Sequence, residues 1–349
     1  MDASFLGDIA IGLAESGRVP DGALRWAIRR LCRQRLRDDV PDDPALAQAR
    51  VEAFVAAASR SEIAPLPDHA NAQHYEVPAA FFQEVLGPHL KYSCGLWEPG
   101  ASTLVQAEEA ALRQTCEHAA LADGQRVLEL GCGWGSLTLW MAERLPSSHI
   151  TAVSNSGSQR AFIEDRARTR GLSNVEVVTA DINDFEPAAA GFDRVVSVEM
   201  FEHVRNHGRL LRRIARWLDP EGMLLVHLFC HRDVPYAFGT EGTTDWMGRN
   251  FFSGGTMPSD GLLLRHQDDL RVRAQWRWPG THYERTANAW LANLDERSDR
   301  VLAIMGQTYG QAHAHVWRQR WRMFFMGCAE LFGYDHGRQW WVSHYRLGR

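Results

Sequence analysis

The chain has no CxxC pair, no uninterrupted run of eighteen apolar residues, no internal repeat and no large excess of charge of either sign. Each absence removes a class of protein. The six cysteines, Cys32, Cys94, Cys116, Cys132, Cys230 and Cys328, are dispersed, which predicts neither a zinc or other metal site nor a disulfide frame, and fits reduced thiols in a cytoplasmic protein. Without a long apolar run no membrane-spanning helix is expected, although contact with a membrane surface stays open. The opening Met1-Asp2-Ala3-Ser4-Phe5-Leu6-Gly7-Asp8 lacks the basic region and apolar stretch of a secretory leader. A net charge of -5 gives no reason to expect a nucleic-acid partner. What is present, 349 residues with 45% hydrophobic content, suffices for one large α/β domain with an added segment.

Residues 1–70 show helical periodicity and then a linker. Pro20 and Asp21 can start a helix with Leu24, Ile28 and Leu31 on one face, surrounded by Arg25, Arg29, Arg30, Arg33, Arg35 and Arg37. Ala47 to Ala58 reads as a second, alanine-rich helix, and Ser61 to Asn71, with two prolines, as the linker. Residues 71–349 form the second unit. There, strands are predicted at Arg126–Leu130, His149–Val153, Val175–Val178, Phe192–Ser197 and Met223–Phe229, separated by helical stretches, a rhythm that implies a mostly parallel sheet covered on both faces. Residues 231–262 are too long for an ordinary connection and predict an insertion covering a pocket. Leu270–Trp278 can be a sixth strand, Glu284–Glu330 is mostly helical, and Trp340–Tyr345 reads as a last strand.

The first strand runs into Val127-Leu128-Glu129-Leu130-Gly131-Cys132-Gly133-Trp134-Gly135. Three glycines at alternate positions after an apolar strand let the backbone approach a ligand at the strand's carboxyl end. The spacing is GxGxG and no GK[ST] follows, which points away from a phosphate cradle. Two cofactor classes remain on physical grounds, a dinucleotide or S-adenosylmethionine. The second strand ends in Ala152-Val153-Ser154-Asn155-Ser156 without the carboxylate that usually holds a nicotinamide ribose, while Ala180-Asp181-Ile182-Asn183 offers an acid and an amide where an adenine amino group could be met.

Four segments then carry a resemblance: Tyr92-Ser93-Cys94-Gly95, Leu130-Gly131-Cys132-Gly133-Trp134-Gly135, Ser197-Val198-Glu199-Met200-Phe201-Glu202-His203 and Gly254-Gly255-Thr256-Met257-Pro258-Ser259. From about His74 onward the chain resembles the family of cyclopropane-fatty-acyl-phospholipid synthases, mycolic acid methyltransferases and coclaurine-type N-methyltransferases. The resemblance implies the class I S-adenosylmethionine-dependent methyltransferase fold, Rossmann-like with a mostly parallel seven-stranded sheet. It also implies that Gly131, Gly133 and Gly135 pass under the methionine part, with Trp134 as a wall and Tyr92 and Ser93 near its carboxylate. Asn155 and Gln159 would lie by the ribose, and Asp181 and Ile182 by the adenine.

At the reacting end the resemblance leaves two acceptors. In the cyclopropane branch a glutamate, a histidine and a tyrosine surround a bicarbonate, matched here by Glu202, His227 and Tyr283, with Cys94 and Cys328 on further family positions. In the N-methyltransferase branch Glu202 and His203 would hold and deprotonate an amine. The text is closer to that branch in Asp181-Ile182-Asn183-Asp184-Phe185 and His227-Leu228-Phe229-Cys230-His231, and residues 1–70 are short beside a lipid-contacting domain. Phe251, Phe252, Trp246, Trp276 and Trp290 are candidates for an aromatic pocket. The expected acceptor is therefore a small amine, with a fatty-acyl chain as the alternative, a noncatalytic S-adenosylmethionine-binding protein as a third reading, and a homodimer as one assembly.

Overall fold

The structure, a computed structural model, describes residues 3–65, 77–242 and 245–349. The expected boundary between residues 70 and 71 and the start of the resemblance at His74 lie outside the described residues. In chain order the helices are α1 (Ala3–Glu15), α2 (Asp21–Asp39), α3 (Pro44–Ala58), α4 (Ala79–Val85), α5 (Leu104–His118), α6 (Ser136–Arg144), α7 (Gly157–Thr169), α8 (His207–Trp217), α9 (Trp246–Asn250), α10 (Thr281–Glu296), α11 (Ser298–Tyr309) and α12 (Ala314–Gly333). The strands are β1 (Arg126–Leu130), β2 (His149–Ser154), β3 (Val175–Thr179), β4 (Phe192–Val198), β5 (Leu218–His231), β6 (Tyr236–Ala237), β7 (Thr256–Met257), β8 (Arg271–Trp278) and β9 (Trp340–Gly348).

Seven strands form one sheet in the order β3-β2-β1-β4-β5-β9-β8, and β6 with β7 makes a separate pair. β1 to β5 are parallel, and β9 runs antiparallel to both β5 and β8. Helices cover both faces, so the central strands carry apolar side chains on both sides; Val127, Leu128 and Leu130 of β1 are fully buried. The strand order reverses between β1 and β4, and the loops leaving β1, β2, β3 and β4 converge there. Open α/β sheets hold their ligands at such a switch point.

Local chemistry sets the helix starts around that edge. Thr103 and Gln106 make a reciprocal capping box on α5, Ser156 caps α7 through the Gln159 amide, and Asn206 caps α8 through the Arg209 amide. α1 and α2 dock on α12: Arg320 binds Glu15, Arg322 binds Asp21, and Arg25 and Arg29 share Glu330. The arginine stripe of α2 is thus partly spent on internal ion pairs. On its apolar side Leu24 and Cys32 are buried, whereas Leu31 is exposed, so the inward face is rotated from the expected one. β5 begins at Leu218, before the expected Met223, and its pairing register slips across Pro220-Glu221-Gly222. Among the described residues no helix is long and apolar enough to cross a membrane.

Candidate active site

β1 ends in a backbone that only glycine adopts readily: Gly131, Gly133 and Gly135 have φ of 82°, 53° and 79°. Their roles differ. A Cβ on Gly131 would lie 2.7 Å from Met200 Cβ, and one on Gly135 would lie 2.7 Å from Ile163 Cγ1, so packing alone requires both. A Cβ on Gly133 would meet no protein atom within 4 Å. Gly133 faces two clefts, which share Gly131, Gly133 and Gln159 as a ridge between them.

The first cleft, about 760 Å³, is lined by Asn155, Asp181, Ile182, Met200 and His203, with Ser253 and Gly254 of the insertion as one wall. The second, about 620 Å³, is lined by Lys91, Tyr92, Ser93, Glu129, Trp134 and Glu199. The expected ligand-side residues therefore face the clefts, apart from Gly135, which starts α6 and packs on Ile163.

Buried polar atoms without partners surround the second cleft: Thr115 Oγ1, Trp134 Nε1, Ser136 Oγ and Gln159 Nε2. Such atoms are costly unless a ligand meets them. On the same wall Glu129 accepts from Thr138 Oγ1 at 2.5 Å, and burial lifts its carboxyl pKa to about 8. Donors suited to a carboxylate and one acid suited to an ammonium match the two ends of an amino acid. An apolar-walled neighbour with Asn155 and Asp181 suits a nucleoside. The residues fit S-adenosylmethionine.

At the end of β4 the chain turns sharply. Glu199 has φ of 50°, left-handed for a residue with a side chain, while its amide donates to the His227 carbonyl at 2.8 Å. That turn aims the carboxylate inward. Oε1 accepts from the Cys94 amide at 2.9 Å and meets His227 Nε2 at 3.3 Å, and Oε2 accepts from the Tyr283 hydroxyl at 2.7 Å. Burial raises the Glu199 pKa, against the pull of Lys91, the Cys94 amide and Tyr283. Lys91, the only lysine in the sequence, is 3% exposed and donates to Ser93 Oγ at 2.5 Å and the Cys94 carbonyl at 2.7 Å. Burial lowers its pKa, and Glu199 opposes that most strongly.

The glutamate gathered with His227 and Tyr283 is thus Glu199, which the sequence reading passed over, and not Glu202. Glu202 is fully buried, its Oε1 accepts from the Phe229 amide at 2.6 Å, its Oε2 has no partner, and burial followed by repulsion from Glu199 raises its pKa strongly. It ties the short turn Phe201–His203 to β5. His203 faces the first cleft, and burial lowers its pKa to about 4, so its ring is neutral near pH 7. Cys94 contributes its amide to the cluster; burial pushes its thiol well above the usual value and that of Cys328 up to about 12. Neither is a thiolate nucleophile.

Of the five aromatics expected in a pocket, Phe252 alone lies beside His203, with ring centroids 4.7 Å apart. Phe251 and Trp290 are core, Trp246 bonds Glu15, and Trp276 stacks on His118 of α5. A different belt forms instead. Phe252 meets Phe229 at 5.8 Å, Phe229 meets Phe332 at 5.9 Å, and Phe332 stacks on Tyr283 at 4.3 Å, linking His203 to the Glu199 cluster.

The profile of the mycolic acid cyclopropane synthetase family matches residues 67–338. The chain belongs to that family. It is 36% identical over 334 residues to (S)-coclaurine N-methyltransferase of Thalictrum flavum subsp. glaucum, covering 95% of this chain and 92% of that one. It is 33% identical over 262 residues to the cyclopropane-fatty-acyl-phospholipid synthase of Escherichia coli K12, covering 74% of this chain and 63% of that one. A crystal structure of coclaurine N-methyltransferase bound to N-methylheliamine and S-adenosylhomocysteine superposes with a TM-score of 0.94 at 34% identity, covering 97% of this chain and 99% of that one. This family member is an S-adenosylmethionine-dependent methyltransferase on the α/β fold expected from its sequence.

Glu129 gives this cofactor a proton signature. With a pKa of about 8 the empty site holds the carboxyl mostly protonated at pH 7, and pairing with a cationic amino group drives the proton off. Cofactor binding is therefore expected to release close to one proton at pH 7 and almost none above about pH 9. Calorimetry in buffers of different ionisation enthalpy reads this directly, and Glu129→Gln should abolish it.

Proposed function

We propose that this methyltransferase transfers a methyl group to the nitrogen of a small amine, with Glu199 as the proton acceptor. The observation that carries the proposal is the Glu199 carboxylate, held in a buried cluster by the Cys94 amide, His227 and Tyr283. An amine enters as an ammonium, which has no lone pair to attack with, so an internal base must act first. The cofactor supplies an electrophilic methyl group. Glu199 takes the ammonium proton; neutral His203 accepts a hydrogen bond from the other N–H and points the lone pair. The Lys91 ammonium favours the ionised form of Glu199 against the burial that raises its pKa. The belt Phe252, Phe229, Phe332 and Tyr283 suits a planar cation, which aromatic faces attract.

Bicarbonate fits poorly. The donors that the cyclopropane pattern gives it, the histidine and the tyrosine, are bonded to Glu199, so the chain carries its own carboxylate in that role. A fatty-acyl acceptor is disfavoured for the same reason, and a noncatalytic binder has no use for a strained, buried acid. Within this proposal the protein works in the cytoplasm, where its dispersed thiols stay reduced. Incubation with methyl-labelled S-adenosylmethionine and parallel panels of secondary amines and unsaturated phospholipids should place the label on an amine; label found in lipid alone would refute it.

A further inference from the structure

Methyl transfer gives no role to the arginine row of α2. Arg25 and Arg29 share Glu330, whose single charge leaves that trio net positive. Trp26, Arg30, Arg33 and Arg37 follow one another at steps of four, three and four residues, which on an α-helix places them within an arc of about 60°. All four are exposed, on the face turned away from the buried Leu24 and Cys32. Arg30 lies over the Trp26 indole at 5.8 Å, and among the described residues Arg33 and Arg37 have no acidic partner. Like charges three and four residues apart repel, so the row by itself works against the helix that carries it.

The row borders a cleft of about 650 Å³ lined by Trp26, Arg29, Arg30, Arg33, Arg37 and Tyr334, the last from the turn that follows α12. No acid lines it among the described residues, and it shares no residue with the two clefts of the cofactor site. Its framing acids are engaged elsewhere: Glu330 with Arg25 and Arg29, Asp39 with Arg35, and Asp335 with Arg338. Asp38 lies about 100° round the helix from Arg37. Parts of the lining are held before any ligand arrives. Glu330 fixes Arg29, and Tyr334 packs on Trp340 with ring centroids 6.0 Å apart. Next to Tyr334, Asp335 and His336 keep left-handed φ of 50° and 58°, a turn braced by Asp335 accepting from Arg338 and Gln339.

We propose that this cleft binds an anion bearing two or more phosphate groups, supplied either as a free polyphosphate or as the headgroup of a phospholipid. Guanidinium forks match phosphate oxygens in pairs, and each phosphate brings more charge than a carboxylate to a row that lacks it. Arg30, Arg33 and Arg37 span about 10 Å along the helix axis, so several phosphates in line fit the row better than a single one. The cleft has the size of a small-molecule site, which favours a compact anion over a run of acidic peptide. On a chain of net charge -5 the row is a local reversal of sign, which draws such an anion to this face alone.

The test titrates the full-length enzyme with inorganic tripolyphosphate by calorimetry and, in parallel, sediments it with phosphatidylcholine vesicles with or without cardiolipin, a lipid with two phosphates. A triple variant, Arg30→Gln with Arg33→Gln and Arg37→Gln, is compared with a control on α8, Arg209→Gln with Arg212→Gln and Arg216→Gln, where the arginines are also exposed. The α2 variant should keep the wild-type Tm and cofactor affinity and lose about 30-fold or more in affinity for the phosphate probe, while the α8 control stays within about threefold of wild type. Sedimentation with cardiolipin vesicles assigns the phosphates to a lipid; tripolyphosphate binding without it assigns them to a free anion. Binding of neither probe would overturn the proposal. So would equal losses in the two triple variants, or sulfate displacing tripolyphosphate at equal concentration, since either reports general attraction to positive charge. None of these readings involves methyl transfer, so the result stands whichever acceptor the enzyme uses.

Discussion

Glu199→Gln should bind S-adenosylmethionine as the wild type does and lose about 10²- to 10⁴-fold in kcat, the usual contribution of a positioned general base. The substitution keeps the size of the side chain and its oxygen can still accept from Tyr283, so the turn at the end of β4 should survive. What it loses is the capacity to take a proton. Because ionised Glu199 is the competent form, wild-type kcat/KM should rise with pH through the elevated pKa that burial imposes, and this limb should vanish in the variant. Glu202→Gln, by contrast, should leave the limb in place, since the Glu202 carboxyl bonds a β5 amide away from the clefts. A Glu199→Gln enzyme with kcat within about threefold of wild type would remove Glu199 from the chemistry.

Gly133→Val should abolish measurable cofactor binding, a loss of about 100-fold or more, equivalent to about 2.7 kcal/mol. The added Cβ meets no protein atom; it projects from the ridge between the two clefts, where the bound ligand has to cross. A left-handed backbone at this position also costs a side chain about 1–2 kcal/mol, so a modest fall in Tm accompanies the effect. Gly131→Val and Gly135→Val should fail differently, by unfolding, because their Cβ atoms collide with Met200 and Ile163. Calorimetry on folded Gly133→Val that finds wild-type affinity would show that the ligand does not cross this ridge.

The alternation of strands and helices and the glycine ridge were legible because both are written in local periodicity and backbone need. Which glutamate meets His227 and Tyr283 was not. Glu199 and Glu202 lie three residues apart in one segment, and the choice between them is made by the left-handed turn at Glu199, which swings one acid toward Cys94, His227 and Tyr283 while the next turn closes the other against β5. The aromatic pocket was misread for a related reason: Phe251 and Phe252 are neighbours, yet one is core and the other faces His203. Lys91 carried a signal in composition, being the only lysine among 38 lysines and arginines. Its compact ammonium meets Ser93 Oγ and the Cys94 carbonyl, two separate acceptors rather than the paired oxygens that suit a guanidinium fork. His344 belongs to no motif, and the pairing of β5 with β9 brings it beside His227.

The fate of the label when a secondary amine and an unsaturated phospholipid compete for methyl-labelled S-adenosylmethionine in one reaction, in buffer freed of carbon dioxide, is the most direct measurement. Glu199 as a built-in base predicts label on the amine nitrogen at a rate unaffected by restoring bicarbonate. Label in a cyclopropane or branched acyl chain, or amine turnover that returns only with bicarbonate, would contradict it.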